Sequence, residues 1–265
     1  MPAASLTSVR SDRVTAVRKL HERSGRRKSG RFLVEGPQAV EAAFAAGVGV
    51  HEVFVDVDAA GAVLSLADSG PVRATWATGQ VLAAMGETQA SQGIVAVCDL
   101  ITPPSLDEVC SMAGPVVFLD AVADPGNVGT IIRTADAVGA AGVVLGPGCA
   151  DPYNGKVVRS TAGSCPTATG RWKSEPADLV AAARHAGRAI LALAGEGAED
   201  LFRLPPALLG RPVWVVGSEA HGVGEQSRRE ADCLVRIPMD GRAESLNAAV
   251  AASVALYVSA SRLAG

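Results

Sequence analysis

PVVFLDAVADPGNVGTIIRTADAVGAAGVVLGPG, residues 115–148, decides the fold class. PVVFLDAV is a continuous apolar run of the kind that fills a strand buried on both faces. NVGTIIRTADAVGA reads as a helix, and GVVLGPG as the next strand. The alternation continues downstream, with helices at 154–164 and 176–186. AILALAG, VWVVGSE and CLVRIPM are strands, EQSRREA is helical, and SLNAAVAASVALYVSASR forms a long closing helix. Apolar strands alternating with helices predict an α/β fold with a mostly parallel sheet covered on both faces.

Upstream, a smaller α/β module is expected. A basic helix covers 12–29 and RFLVEG is a strand. PQAVEAAFAAG is a helix that starts at Pro37 and stops at Gly47. HEVFVD, VRATWAT and QGIVAVCDL are strands, with helices at 61–69 and in QVLAAMGE between them. Pro103 and Pro104 mark a break. The resulting domains are 1–99, a linker with a connecting helix at 100–113, and 114–265.

The 265 residues are 48% apolar and 19% charged, enough to bury a sizeable core, so overall disorder is excluded. Net charge is only -3, but its distribution is uneven. Between Arg10 and Arg31 nine basic residues face only Asp12 and Glu22, about +7, which leaves about -10 elsewhere. A local field of that sign attracts phosphate even in an acidic chain. Five cysteines, widely spaced and without a CxxC pair, fit reduced thiols rather than disulfides or zinc, and no metal site is expected. MPAASLTSVRSDRV lacks an apolar signal core, and no run of about 18 uncharged apolar residues spans a membrane, so a cytoplasmic protein without a membrane partner is expected.

Open α/β sheets bind ligands beyond the carboxyl ends of their strands. Three strand ends carry unusual clusters. In DAVADPGNVGTIIR, Asn127 can cap the helix. Arg133, six residues on, is near two turns away, so both could project toward one end of the sheet, where Arg133 would suit a phosphate. VVGSEAHGVG surrounds Ser218, Glu219 and His221 with Gly217, Gly222 and Gly224, a loop that can press backbone groups against a flat ligand. It satisfies neither the GxSxG elbow nor the P-loop. RIPMDGRAESLNAAVAAS ends a strand at Met239, and Ser245 is a natural N-cap for the helix that follows, with Asn247 in its first turn.

Together, N-x-G-x-x-x-R at 127–133, VVGSEAHGV at 215–223 and IPMDGRAESLNAAVAAS at 237–253 resemble the three ordered motifs of the SpoU (TrmH-like) RNA ribose methyltransferases of the SPOUT superfamily. VVRSTAGSCP at 157–166 is similar to the family's segment between the first two motifs. The resemblance spans about 114–262. RKLHERSGRRKSGRFLVEGPQAVEAAFAAG resembles the L30e-like substrate-binding domain that many members carry.

The resemblance implies a C-terminal trefoil knot, a homodimer with active sites between protomers, and S-adenosylmethionine as cofactor. By position it implies that Gly217, Ile237, Met239 and Leu246, with Ala194, line the cofactor pocket. Asn127, Arg133, Glu219, Ser245 and Asn247 become the catalytic set. Arg133 holds RNA phosphate and stabilises developing charge, Asn127 orients Arg133 or the ribose, Glu219 steadies the second motif, and Ser245 and Asn247 shape the third. Arg18, Lys19, Arg23, Arg26, Arg27, Lys28 and Arg31 gain a purpose in gripping the RNA backbone. The expected activity is 2′-O-methylation of RNA, with large-subunit ribosomal RNA favoured, transfer RNA as the alternative, and no DNA. A non-catalytic RNA-binding protein of the same fold is a rival. A nucleotide-dependent oxidoreductase is another, but no GxGxxG follows the first strand.

Overall fold

The buried apolar runs form the strands of two sheets. The computed structural model describes residues 4–88, 91–164, 170–172 and 174–263. Contacts divide the chain into two units, Met1–Thr102 with Asp151–Thr167, and Pro103–Ala150 with Ala168–Gly265. The elements run α1 (Asp12–Arg18), α2 (Arg23–Ser29), β1 (Arg31–Glu35), α3 (Pro37–Ala45), β2 (Val50–Asp56), α4 (Ala62–Ser69), β3 (Thr75–Ala77), α5 (Gly79–Met85) and β4 (Ile94–Asp99). There follow α6 (Leu106–Ser111), β5 (Val116–Asp120), α7 (Pro125–Ala137), β6 (Gly142–Leu145), α8 (Gly155–Ser160), β7 (Gly170–Trp172), α9 (Pro176–His185) and β8 (Ile190–Leu193). The chain closes with β9 (Glu199–Asp200), α10 (Pro206–Leu209), β10 (Val213–Gly217), α11 (Glu225–Glu230), β11 (Cys233–Arg236) and α12 (Ala248–Leu263).

The first unit has a four-stranded sheet in the order β1-β4-β2-β3, with β4 antiparallel to β1 and β2. The basic segment expected as one helix is broken. After α1 a 3-10 turn, Lys19–His21, leads to an extended Glu22 before α2 begins. Burial explains the elbow: Val14, Val17 and Leu20 all enter the core. Gly25 then lies so close to the turn that a Cβ would sit 1.9 Å from the Lys19 carbonyl oxygen. Residues 151–167, placed by sequence in the second half, cluster with this unit instead. The Tyr153 hydroxyl pairs with both backbone groups of Ile101 (3.1 Å each), its ring packs on Phe32, and Arg159 bridges Glu35 and Glu87. The helix expected over 154–164 is the shorter α8, and Cys165 and Pro166 lie outside the described residues.

The second unit holds a seven-stranded sheet, order β7-β6-β5-β10-β8-β11-β9, in which every pairing is parallel. Alternation along β10 sorts its two faces. Val213 and Val215 join Val109, Phe118, Leu179 and Ala183 in one core cluster with α6 and α9. Trp214 points the other way and donates its indole N–H to the Ser259 hydroxyl on α12 (2.9 Å). The linker helix α6 belongs to this unit. Buried Arg188 donates to the carbonyls of Cys110 in the last turn of α6 and of Met112 and Gly114 just past it (2.7, 2.5 and 2.7 Å), tying its end to the sheet.

Candidate active site

Three loops leave the carboxyl edge of the parallel sheet side by side, after β10, β8 and β11, and enclose a cavity of about 490 Å³. That volume is in the range of small-molecule sites, roughly 300–1,000 Å³. Leu193, Val216, Val235, Ile237 and Leu246 supply apolar wall, and Ala248 and Ala251 of α12 close one side.

The loop after β10 folds back on itself: Ser218 and Gly222 exchange backbone hydrogen bonds in both directions (3.1 and 2.8 Å). Gly222 takes φ +65° at the turn. A Cβ on Gly217 would lie 2.0 Å from the Gly222 carbonyl carbon, so only glycine fits there. The Gly224 N–H bonds Asp120 Oδ2 (2.9 Å), pinning the loop to the end of β5. The loop after β8 is equally tight: a Cβ on Gly197 would meet the Leu234 carbonyl oxygen at 2.6 Å.

A line of amides runs along the rim. The carbonyl oxygen of the Asn247 side chain accepts the N–H groups of Ala249 and Val250 (2.9 and 3.3 Å), so Asn247 caps α12. Its Nδ2 must then face outward, and it donates to Asn127 Oδ1 (3.0 Å). Asn127 in turn donates through Nδ2 to Glu219 Oε1. The free N–H groups at the start of α12 thus fix the polarity of the whole line, which ends on a carboxylate. Residues from three separate strand ends become one hydrogen-bonded unit.

Several expectations from sequence change. The N-cap of α7 is Asp124, whose side chain accepts the Asn127 N–H (2.9 Å), with Pro125 at the first helical position. Asn127 lies in the first turn, which leaves its amide free for Glu219 and Asn247. The third strand ends at Arg236 rather than Met239, and α12 starts at Ala248, so Asn247 and not Ser245 is the cap. Arg133 does not share an end of α7 with Asn127. Six residues turn a helix by about 600° and advance it by about 9 Å. Arg133 is therefore exposed on another side, without a hydrogen bond or ion pair to any described residue.

The cavity gathers Ala194, Gly217, Ile237, Met239 and Leu246, together with Glu219, Ser245 and Asn247. Asn127 is not part of the lining and bonds two residues that are, Glu219 and Asn247. Glu196, Arg228 and Glu244 also line it, and the sequence reading passed over them. Glu196 offered a signal, being an acid just past the end of a buried strand. Among the described residues no His, Cys, Asp and Glu group could hold a metal.

In the first unit Arg26 is a correction. Its side chain is 4% exposed and donates to the carbonyls of Leu20 and His21 (2.7 Å each) and to Asp151 (3.0 Å). It staples the elbow between α1 and α2 and is unavailable to RNA. Arg18, Lys19, Arg23, Arg27 and Lys28 are exposed and Arg31 is half-buried, with Arg23 near Asp151 (3.6 Å).

Residues 114–257 match the SpoU rRNA Methylase family, and residues 11–96 match the MRM3-like substrate binding domain. The chain belongs to the SpoU family. Over 255 residues it is 33% identical to the 23S rRNA (guanosine(2553)-2'-O)-methyltransferase RlmP of Bacillus subtilis, covering 95% of this chain and 97% of that one. The SpoU methyltransferase AviRb from Streptomyces viridochromogenes, crystallised with AdoMet, superposes with a TM-score of 0.85 at 31% identity, covering 95% of this chain and 98% of that one. An AdoMet-bound rRNA methyltransferase from Sinorhizobium meliloti gives a TM-score of 0.84 at 28% identity over 96% of both chains. The three loops and the amide line all lie within the matched residues 114–257.

Proposed function

We propose that the protein is an S-adenosylmethionine-dependent methyltransferase that modifies ribose 2′-hydroxyls of large-subunit ribosomal RNA. The observation that carries this reading is the Asn247–Asn127–Glu219 line on the rim of the 490 Å³ cavity. The cavity suits the cofactor. It is large enough, its walls are mainly small or apolar, and the glycine turn at Gly217 leaves backbone groups uncovered beside it. Gly217, Ile237, Met239, Leu246 and Ala194 would hold the donor. When bound, S-adenosylmethionine supplies an electrophilic methyl group and its leaving group.

The chain's own residues orient and stabilise. Asn127 locks Glu219 and Asn247 together, so the second and third loops meet the incoming ribose as one rigid edge. A guanidinium stays protonated, so Arg133 works by charge: it holds RNA phosphate and favours the oxyanion developing on the 2′-oxygen. Its position on α7 points to a partner protomer. The α7 and α12 helices touch through Thr134 and Ser253 (3.1 Å), and α12 leaves Val250 and Tyr257 48% and 58% exposed one face apart by seven residues. We read this helix pair as the homodimer face, across which Arg133 serves the partner's cavity. The reading includes the trefoil knot, for which the support is the family match and the close approach of Gly197, in the loop after β8, to Leu234 of β11.

The division of labour gives residues 1–99 the RNA and residues from 114 onward the chemistry, in the cytoplasm. Arg18, Lys19, Arg23, Arg27, Lys28 and Arg31 would meet the phosphate backbone. Ribosomal rather than transfer RNA is favoured because RlmP, which matches along nearly the whole chain, is named for 23S rRNA. The test is transfer of labelled methyl from S-adenosylmethionine to ribosomal RNA of a strain lacking the gene, with mapping of the product. Methyl groups at 2′-oxygens of 23S RNA are expected. Label on a base, or none in any RNA, would sink the proposal.

A further inference from the structure

On the far side of β10 from the amide line, the cavity rim carries a second polar feature. Glu196, in the loop after β8, places Oε1 2.6 Å from Nη2 of Arg228 on α11, and both side chains line the cavity. An exposed ion pair adds little to stability, so folding alone gives small reason for it. The neighbouring wall, Leu193, Ala194, Val235 and Ile237, is apolar. A charged pair set at the edge of an apolar slot suits a ligand with a flat ring and adjacent hydroxyls.

We propose that Glu196 is the residue that recognises the ribose of the bound adenosyl cofactor, with Arg228 as the positioning residue that aims it. This rests on the methyltransferase reading above. Arg228 occupies one acceptor position of the carboxylate, which has about four, so the others can accept the two O–H groups of a vicinal diol. Acidic residues bind ribose hydroxyls in the same way in dinucleotide folds. The order of the strands assigns the end. Asn127, Glu219 and Asn247 gather beyond β5 and β10, where the methyl must be transferred, whereas Glu196 lies one strand farther on, beyond β8. The nucleoside half of the cofactor therefore falls to Glu196. Gly197, squeezed against Leu234, and Arg236, donating to the Gly197 and Ala198 carbonyls (2.9 and 2.7 Å), hold that loop in place. Its own backbone N–H and Arg228 hold the Glu196 carboxyl below the usual range against a smaller opposing push from burial, as an acceptor requires.

Calorimetric titration of the full-length protein tests this. The ligands are S-adenosylmethionine, S-adenosylhomocysteine, methylthioadenosine and the 2′,3′-dideoxy form of S-adenosylhomocysteine. Glu196→Gln should bind the first three about tenfold more weakly than wild type, the scale of one hydrogen bond to a charged group. Wild type should lose a similar factor for the dideoxy ligand, and Glu196→Gln should lose nothing further. Arg228→Met should weaken the diol ligands about threefold and leave the dideoxy ligand unaffected, a pattern that a merely structural role would not give. Unchanged affinity in Glu196→Gln would overturn the proposal. So would a loss that spares methylthioadenosine, since that would place Glu196 at the amino-acid end. Wild type that binds none of the four would instead refute the methyltransferase reading.

Discussion

Replacing Asn127 by alanine removes the centre of the line that joins the three strand ends. Two hydrogen bonds vanish: the one from Asn247 (3.0 Å) and the one to Glu219. A neutral hydrogen bond contributes about 0.5–1.5 kcal/mol and one to a charged group about 1.5–3 kcal/mol. Asn127 is only half-buried, so water can replace part of both, and a global stability loss of about 1–2 kcal/mol is expected. The effect on catalysis should be larger. Glu219 and Asn247 would keep their places on separate loops but lose their common register, and a misplacement near 1 Å costs about 100-fold in rate. The cavity walls do not include Asn127, so cofactor affinity should change less than threefold by the same reasoning. Single-turnover methyl transfer, cofactor titration and urea unfolding measure the three quantities. The reasoning is refuted if transfer stays within a few-fold of wild type, or if cofactor affinity falls as steeply as the rate.

Three further outcomes are expected. Gly217→Ala would drive a Cβ to 2.0 Å from backbone that cannot give way, so the 218–222 turn should open, at about 3 kcal/mol or somewhat more in urea unfolding and with loss of cofactor binding in the same titration. If Arg133 serves the partner's cavity, Arg133→Ala mixed with Asn247→Ala should regain activity, since each mixed dimer rebuilds one intact site. About a quarter of wild-type activity is the expected ceiling for random mixing, and no recovery would place Arg133 in its own subunit's site. Burial pushes the Cys98 thiol from 9.0 up to about 12. Between those values an unfolded chain gives up this proton while the folded one keeps it, so stability should fall as pH rises above about 9. Cys98→Ala should flatten that fall in pH-dependent unfolding, and an unchanged slope would remove Cys98 from the account.

The strand–helix alternation and the three strand-end clusters were legible because a parallel sheet makes them so. Strands buried on both faces read as apolar runs, and polar residues must collect where the runs stop. The caps were harder. Asp124 and Asn127, or Ser245 and Asn247, are all competent caps a few residues apart, and choosing between them depends on where the chain leaves the preceding strand. The Asp-Pro pair at 124–125 did carry the answer for α7, since proline favours the first helical position. The misplacement of Arg133 is of another kind: six residues are not a whole number of helical turns, and the angle together with the rise along the axis separates it from Asn127.

Charge counting failed at Arg26 for a reason that extends to the whole basic segment. Nine like charges look equivalent in sequence, but a chain that turns sharply leaves carbonyl groups without helical partners, and a guanidinium with several donors is well suited to satisfy them. The elbow at Lys19–Glu22 creates that need, and Arg26 meets it by donating to the Leu20 and His21 carbonyls and to Asp151. The segment therefore divides by geometry. Arg26 is taken up by the fold and Arg13 pairs with Glu52 and Thr75, whereas Arg18, Lys19, Arg27 and Lys28 stay exposed. Arg26→Ala should thus unfold the first unit's helical elbow, whereas neutralising Arg27 and Lys28 should leave stability intact and lower the salt dependence of RNA binding by about one charge each.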